Sequence, residues 1–323
     1  MAAPRRPPGA LACPAVTTML LDAASLYFRA FFGVPTSVTS PDGRPVNAVR
    51  GFLDMTARLV GDHRPARLVA CWDDDWRPAF RVEALPSYKA HRLSPEGEEE
   101  VVPDELSPQV PVLADVLAAA GIARIGAPGY EADDVIGTLA TRARGPVDIV
   151  TGDRDLFQLV DDERGVRVLY TARGISDIET VDEAAVCAKY GIPGRSYADF
   201  AVLRGDPSDG LPGVAGVGAK TAAALINAYG DLAGIRAAVA RSAVPSGPLT
   251  AAVLRKMHAA ADYLDRAPVV VAVARAIDMP PVEGDLPRAP ADPDALAELA
   301  ERHGIESSVR RLGAVLGWAG PLP

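Results

Sequence analysis

The sequence predicts an α/β protein with a central, mostly parallel β-sheet covered by helices on both faces. Three short apolar runs, two of them with β-branched residues, end in an acidic residue: residues 19–22 (MLLD), 67–73 (RLVACWD) and 147–153 (VDIVTGD). Runs of this length and composition are typical of buried strands. Longer segments with helical periodicity separate these runs, and strands that alternate with helices favour a parallel sheet.

The other elements follow from the patterns along the chain. Residues 47–63 and 107–121 place apolar side chains at helical spacing, and the second segment ends at a glycine, which is a common helix stop. Residues 166–170 (VRVLY) predict a further strand. Near the C-terminus, residues 268–274 (PVVVAVA) resemble a strand and residues 292–304 (DPDALAELAERHG) resemble a helix, and we assign both to packing.

Length and composition exclude several classes of protein. The 323 residues are 49% hydrophobic, which is enough for a full core in one large domain or two smaller ones. No apolar run approaches the roughly 20 residues of a membrane span. Residues 1–18 make a poor signal peptide because proline interrupts a short apolar stretch, and we interpret them as a disordered leader. We expect a monomer with no membrane association.

The metal-binding residue types narrow the chemistry. The three cysteines are scattered without metal or disulfide spacing, and the four histidines form no H-x-x-x-H pair. We therefore expect a cytoplasmic protein, in which any metal site is built from oxygen ligands and suits Mg²⁺ or Mn²⁺. The net charge of −9 argues mildly against a nucleic-acid partner, although local placement of charge could reverse that.

Acidic residues end three of the predicted strands. Asp22, Asp73 and Asp153 hold these positions, and Asp155 follows two residues after the last of them. In open parallel sheets, ligands bind beyond the carboxyl ends of the strands. A single acid there would most simply cap a helix. Several acids at one edge of the sheet favour a shared metal site instead.

A further acidic cluster opens the stretch 129–140 (GYEADDVIGTLA). Glu131, Asp133 and Asp134 fall within four positions, directly before an apolar helical run. One or two acids in a first helical turn complement the helix dipole and can cap free N–H groups. A third acid adds repulsion, and a bound cation would relieve it.

Residues 203–232 carry the most specific signal. Asp206 and Asp209 precede a glycine-rich turn that leads through Lys220 into a helix. A P-loop is excluded because Ala219 interrupts its spacing and no strand comes before it. The core G-V-x-G-V-G-x-K-T-A instead favours a helix–hairpin–helix element, which grips a nucleic-acid backbone without reading bases.

The segment 83–106 is Pro-rich, strongly charged and too polar for a core. It is either a solvated linker or a mobile gate. Basic residues lie just before it and in its first part: Arg77, Arg81, Lys89, His91 and Arg92.

Taken together, these motifs resemble the bacterial 5′-nucleases or flap endonucleases, a family that includes the N-terminal nuclease domain of DNA polymerase I. The resemblance covers roughly residues 19 to 310, in family order. Its stretches are MLLDAASLYFRAFF, VACWDDD, LPSYKAHR, GYEADDVIGTLA, TGDRDLFQLV and LRGDPSDGLPGVAGVGAKTA.

The resemblance implies a domain organisation. A PIN-like nuclease core would span residues 19–185, with a helical gateway or arch at about 83–106. A helix–hairpin–helix DNA-binding region would span 186–310 and pack on the core, followed by a tail at 311–323. We expect a stand-alone nuclease without a polymerase module.

The resemblance also implies two metal sites. One metal ion would be served by Asp22, Asp73, Glu131, Asp133 and Asp134, and a second by Asp153, Asp155, Asp206 and Asp209. Asp74 is an alternative to Asp73, and we favour Asp73 because it follows the strand directly. The nine acids carry as much charge as the chain's net −9, so the remainder is formally neutral.

Other roles follow from the same resemblance. Arg81 and Lys89 would position the scissile phosphate, and the ring of Tyr88 would stack on a base. A potassium ion would be bound at the hairpin by backbone carbonyls, for which the candidates are Ser208, Val214 and Val217. The predicted DNA contacts are Arg77, Arg92, Gly213, Gly216, Gly218, Lys220 and Thr221.

The implied function is a metal-dependent, structure-specific 5′-nuclease that acts on DNA flaps, duplex 5′ ends and RNA–DNA primer junctions in replication and repair. Two divalent ions about 4 Å apart would activate water and stabilise the leaving oxygen. The alternatives are a non-catalytic DNA-binding relative, which would lack metal-binding acids, and a PIN-like ribonuclease, against which the helix–hairpin–helix and Lys89 argue.

Overall fold

The computed structural model describes residues 16–95, 97, 100–241 and 246–319. These residues form one sheet of six strands in the order β3-β2-β1-β4-β5-β6, which is parallel except that β6 runs antiparallel to β5. The strands are β1 Thr18–Asp22, β2 Arg67–Cys71, β3 Ala123–Ile125, β4 Val147–Thr151, β5 Val166–Tyr170 and β6 Glu179–Val181.

Helices cover both faces of the sheet and continue into a helical C-terminal region. Up to residue 204 they are α1 Ala23–Gly33, α2 Asn47–His63, α3 Ala79–Ala84, α4 Gln109–Ala120, α5 Ala132–Arg142, α6 Glu183–Tyr190 and α7 Tyr197–Arg204. The remaining helices are α8 Ala219–Tyr229, α9 Leu232–Arg241, α10 Ala251–Ala259, α11 Ala261–Val271, α12 Pro293–His303 and α13 Glu306–Leu316.

The sheet separates two apolar cores, as alternating side chains on a strand covered on both faces require. Met19 and Leu21 of β1 face a core shared with α2, α4, α12 and α13, whereas Leu20 faces a core shared with α5 and helices α7 to α11. None of the helices in the described part of the chain is long and apolar enough to cross a bilayer.

The predicted α/β architecture is confirmed. Four strands form where apolar runs predict them, and α2 has the predicted bounds. Residues 268–274 are a correction, because 268–271 end α11 with Pro268 inside the helix. A short buried apolar run does not distinguish a strand from the buried face of a helix.

Three predicted boundaries also change. Residue 18 of the predicted leader begins β1, while residues 1–15 lie outside the described residues. The described residues of 83–106 hold the end of α3, a 3-10 turn at Ala90–Arg92 and a bridge between Leu93 and Glu100, rather than a helical arch. The predicted tail begins inside α13, whose Leu312 is buried against the core that contains α2.

Candidate active site

Acidic side chains line a cavity of about 430 Å³ beyond the carboxyl ends of β1, β2 and β4. Eight of the nine predicted metal-binding acids border it, and the exception is Asp134. Glu100, Lys89 and Arg92 border it too. The eight acids are Asp22, Asp73, Glu131, Asp133, Asp153, Asp155, Asp206 and Asp209.

Strand ends and helix starts hold these carboxylates in place. Asp22 ends β1 and caps α1, accepting hydrogen bonds from the Ser25 amide at 3.0 Å and from Thr151 Oγ1 at 2.6 Å. Asp73 accepts a bond from the amide of Ala132 at 2.7 Å, which joins the end of β2 to the start of α5. The side chain of Asp74 lies instead against Gly126, which supports Asp73 as the pocket acid.

Five of these eight acids have no cationic partner within the described residues: Asp22, Asp73, Asp133, Asp153 and Asp155. Burial raises the pKa of Asp22 to about 6 and that of Asp73 to about 7. Burial and the neighbouring Asp153 raise the pKa of Asp133 and of Asp155 well above the usual range. The pocket therefore holds like charges that protein groups do not neutralise.

This donor set fits a hard divalent cation. All of the unpaired ligands are carboxylate oxygens, which Mg²⁺ and Mn²⁺ prefer. In the described residues, no three acidic, histidine or cysteine side chains lie close enough together to bind one ion directly. Mg²⁺ keeps several of its waters in proteins, so widely spaced carboxylates can hold it through those waters.

Two further pocket acids have basic partners. Asp206 lies 3.3 Å from Arg204 and 3.5 Å from Arg154, and Asp209 lies 3.2 Å from Arg92. Burial still raises the pKa of Asp209 to about 6, although Lys89 and Arg92 oppose the rise. The sequence did not predict that Arg154 and Arg204 pair with Asp206. Arg154 follows β4 and Arg204 ends α7, and no common spacing in the sequence relates these two arginines.

A buried ion-pair cluster lies beneath the pocket and corrects two predicted roles. Arg81 is only 2% exposed and donates two bonds of 2.7 Å to Asp134 and one of 2.7 Å to Glu131. It also donates to the Val270 carbonyl of α11 at 2.9 Å. Arg81 is therefore enclosed and does not reach a scissile phosphate, and Asp134 is committed to this pair rather than to a metal ion.

Tyr88 and Lys89 join this cluster through Glu131. The Tyr88 ring is 4% exposed and its hydroxyl donates to Glu131 at 2.7 Å, so the predicted stacking on a base is corrected as well. Lys89 Nζ pairs with the other oxygen of Glu131 and borders the pocket. Burial lowers the pKa of Lys89, but Glu131 and Asp209 more than offset this, and its net pKa is raised.

Arg77 is also a brace in this structure. Its Nε and Nη2 donate to the carbonyls of Tyr88 and Pro86, at 2.7 and 2.9 Å. The guanidinium thus holds the backbone of the segment predicted as a gateway, and its contact with DNA stays a prediction. Arg92, by contrast, borders the acidic pocket.

The predicted hairpin forms at residues 213–218. Gly213 has a φ of +67°, and a Cβ there would lie 2.5 Å from the Arg204 carbonyl, so only glycine fits. Gly218 is the N-cap of α8 and has no side chain to cap it, which leaves the first amides of that helix free beside the exposed Lys220. The Ser208 carbonyl accepts a bond from Arg92 at 2.9 Å, and its role in binding potassium stays a prediction.

Comparisons with known proteins identify two family regions. Residues 17–191 match the model of the 5′-3′ exonuclease N-terminal resolvase-like domain, and residues 192–294 match that of the 5′-3′ exonuclease C-terminal SAM fold.

Individual relatives agree with these models. A 5′-3′ exonuclease of Streptomyces coelicolor is 60% identical over 298 residues, which cover 91% of this chain and 98% of that protein. DNA polymerase I of Mycobacterium bovis is 46% identical over 220 residues, or 67% of this chain and 23% of the polymerase. A bacteriophage T5 flap endonuclease, solved with DNA and metal ions, shares the fold with a TM-score of 0.60 at 16% identity, over 93% of this chain and 95% of that one.

Proposed function

The chain belongs to the 5′-3′ exonuclease family, and on that basis we propose that it hydrolyses DNA phosphodiester bonds at 5′ flaps and duplex 5′ ends with divalent metal ions held in the acidic pocket. The observation that carries the proposal is a group of five carboxylates, without cationic partners in the described residues, in the pocket beyond the ends of three parallel strands. Removal of RNA primers and repair of displaced strands are the processes that this activity suits.

The unpaired carboxylates Asp22, Asp73, Asp133, Asp153 and Asp155 would hold the metal ions, with Mg²⁺ as our choice and Mn²⁺ as a substitute. When bound, such ions activate water and offset the negative charge of the phosphate and of the leaving oxygen. The carboxylates would orient the ions and supply the negative charge that binds them.

Basic side chains at the rim would orient the substrate. Lys89 and Arg92 both border the pocket while paired with acids, Glu131 and Asp209 respectively. A phosphodiester that enters the pocket can accept hydrogen bonds from these same donors. We expect the two side chains to hold the scissile phosphate over the metal-binding acids.

The hairpin and the start of α8 would grip the duplex. Free amides at a helix N-terminus and Lys220 suit a backbone phosphate, and such contacts carry no sequence information. Binding of the duplex should therefore depend strongly on salt concentration and little on base sequence. A potassium ion near Val214 and Val217 stays a prediction, as does the action on RNA–DNA junctions.

The two alternative functions make different demands. A non-catalytic DNA-binding relative would not need five unpaired carboxylates in one pocket, and these are present. A ribonuclease of the PIN-like type would not need the duplex-gripping hairpin. Both alternatives are outcomes of the experiment below.

The test is cleavage of a 5′-flap duplex by the purified protein, with Mg²⁺ and then with EDTA, beside Asp153→Ala. We expect cutting near the flap junction that requires the metal ion and is lost in the variant. Tight flap binding without cutting by the unaltered protein would contradict the proposal and indicate the non-catalytic alternative. Cleavage of an all-RNA strand in preference to DNA would indicate the ribonuclease.

A further inference from the structure

A cavity of about 410 Å³ opens at the amino ends of β1 and β2, where Thr18 and Arg67 begin these strands. The acidic pocket lies beyond the carboxyl ends of the same strands, so the two cavities lie at opposite ends of the sheet. We propose that this cavity, the basal groove, is a docking site for an acidic peptide segment of a partner protein that also carries apolar side chains. The inference goes beyond the proposed function and does not depend on it.

The walls of the basal groove are largely aliphatic. Leu20 of β1 and Val69 of β2 form its buried part and are 1% and 2% exposed. The volume falls within the range of about 300–1,000 Å³ that is usual for ligand sites, and an open aliphatic concavity favours the burial of apolar side chains from a ligand. The apolar residues at its rim are half-buried or exposed: Leu139, Ala143, Pro280, Pro281 and Val282.

Three arginines line the same groove, and its described lining residues include no acid. Within the described residues, the side chain of Arg144 forms no ion pair and no hydrogen bond. Arg142 donates to two backbone carbonyls, which carry no net charge. Arg67 pairs with Asp285 at 2.9 Å, but both side chains are more than half exposed, and such pairs contribute little. The groove therefore has an excess of positive charge, which carboxylates complement.

Capping of α5 does not explain the cation at position 144. A basic side chain near the end of a helix complements the helix dipole and can bind the last carbonyls. At the end of α5, however, the carbonyls of Ala140, Thr141 and Ala143 accept hydrogen bonds from Arg164, at 2.8 to 3.4 Å. The exposed side chain of Arg144 is therefore not needed as a cap, and it is available to an anionic ligand.

The lining of the groove favours a peptide over a nucleic acid. A base would stack on an aromatic ring, and the described lining residues include no Phe, Tyr, Trp or His. A phosphate alone would gain nothing from the aliphatic walls. Arginine clusters recognise acidic peptide motifs, and aliphatic walls accommodate the apolar side chains of such a peptide.

A partner bound in the basal groove would leave the acidic pocket open. The helix α5 starts at Ala132, beside the acidic pocket, and ends at Arg142 in the groove. At 1.5 Å per residue these two positions are about 15 Å apart along the helix. The geometry is therefore that of a site for recruitment, which does not compete with the substrate.

The parts of this chain that lie outside the described residues match the groove less well. Residues 1–15 precede β1, whose Thr18 lines the groove, but they contain two arginines and no acidic residue. Residues 320–323 (GPLP) contain no acidic side chain either. The positive charge of the groove therefore favours a separate partner over a terminal segment of the same chain.

The experiment selects peptides from a displayed random-peptide library on the purified full chain and measures the affinity of each enriched peptide by fluorescence anisotropy. Arg144→Glu reverses a charge at the groove, and Val282→Ser removes apolar surface from its rim. Arg310→Glu is the matched control, because Arg310 is exposed on α13, outside the groove, and its side chain has no ion pair or hydrogen bond within the described residues. Two shortened chains, one without residues 1–15 and one without residues 320–323, test occupation by the chain itself.

We expect enrichment of peptides that combine Asp or Glu with aliphatic or aromatic side chains. Arg144→Glu should bind them about tenfold to a hundredfold more weakly, the range for a lost hydrogen bond to a charged group. Val282→Ser should cause a smaller loss, Arg310→Glu none, and added salt should weaken binding to the unaltered chain. A saturating 5′-flap duplex should leave peptide affinity unchanged, and Arg144→Glu should cut the flap at the rate of the unaltered chain.

Three results would overturn the inference. If no acidic and apolar peptide is enriched, or if the enriched peptides bind Arg144→Glu and Val282→Ser as tightly as the unaltered chain, the groove is not a docking site for them. If a shortened chain binds a peptide that the full chain does not bind, a terminal segment of the chain occupies the groove. If the flap duplex displaces the peptides and Arg144→Glu loses affinity for the flap, the groove binds nucleic acid.

This inference and the proposed function can fail separately. Peptide binding that depends on Arg144, in a protein that neither binds nor cuts the flap, would support the docking site and contradict the proposed function. Metal-dependent flap cutting without any peptide that depends on Arg144 would support the proposed function and contradict the docking site.

Discussion

The first turn of α5 contributes acids to two neighbouring environments, one in which cations face the carboxylates and one in which they do not. Asp133 borders the pocket beside other acids, whereas Glu131 and Asp134 bind the buried Arg81. Glu131 caps the helix and Asp134 stands three residues later, so their side chains lie on the same side of the turn and form a capping box. Asp133, on another side of the turn, faces away from Arg81.

The balance of charge differs between the two environments. In the buried cluster, the cations Arg81 and Lys89 match the carboxylates of Glu131 and Asp134, and Tyr88 donates a further hydrogen bond. In the pocket, five of the eight predicted metal-binding acids have no such partner in the described residues. Neighbouring acids of the same type therefore serve structure where a cation faces them and can serve metal binding where none does.

The largest effect should come from breaking the matched cluster. Arg81→Met would leave the carboxylates of Asp134 and Glu131 buried without their guanidinium partner, and we expect it to lower the free energy of unfolding by about 3–5 kcal/mol. Urea denaturation measures this. Arg302→Met, which breaks an exposed pair with Glu298, should cost no more than about 1 kcal/mol. Equal losses of unfolding free energy in the two variants would contradict a larger contribution from the buried cluster.

The next largest effect is expected in α5, where one substitution should lower activity and a neighbouring one should lower stability. Asp133→Asn should lower the cleavage rate by about 10²–10³-fold, as for other groups that stabilise charge during a reaction. In EDTA it should melt at the same temperature as the unaltered protein or higher, because it removes repulsion with Asp153 and Asp22. Asp134→Asn, its matched control, should lose stability through its pair with Arg81. Cleavage at the normal rate by Asp133→Asn would contradict this assignment.

The smallest effect is a pH dependence of the metal-free protein. The pKa values of Asp22 and Asp73, about 6 and about 7, lie above the ordinary 3.8, so the folded state binds protons more tightly than the unfolded state. Stability in EDTA should be greatest at low pH within the folding range and fall between pH 5.5 and 8. Each such group contributes about 1.4 kcal/mol per pH unit while only the folded state holds its proton.

Urea midpoints at pH 5.5, 6.5 and 8 check this dependence. Adding Mg²⁺ should stabilise the protein most at pH 8, where the carboxylates are ionised, and should flatten the profile. The matched cluster provides the contrast, since its acids are already balanced by Arg81 and Lys89. A metal-free midpoint that stays constant or rises from pH 5.5 to 8 would contradict the unpaired state of the pocket acids.

Local pattern alone determines a large part of this protein. Apolar runs that end in Asp22, Asp73 and Asp153 predict both the strands and their meeting at one edge, because parallel strands share their carboxyl ends. The glycines from 213 to 218 predict the hairpin, because the required backbone angles are local properties of the chain. These features need only short-range sterics and periodicity.

Only the tertiary structure decides which charged side chains pair with each other and which are buried. From the sequence, Glu131, Asp133 and Asp134 are equivalent candidates for metal binding. Nothing in the sequence predicts that Arg81 binds two of them or that Arg81 also contacts the Val270 carbonyl. A charge acquires its role from groups brought together over long chain distances, and only the packed fold brings them into contact.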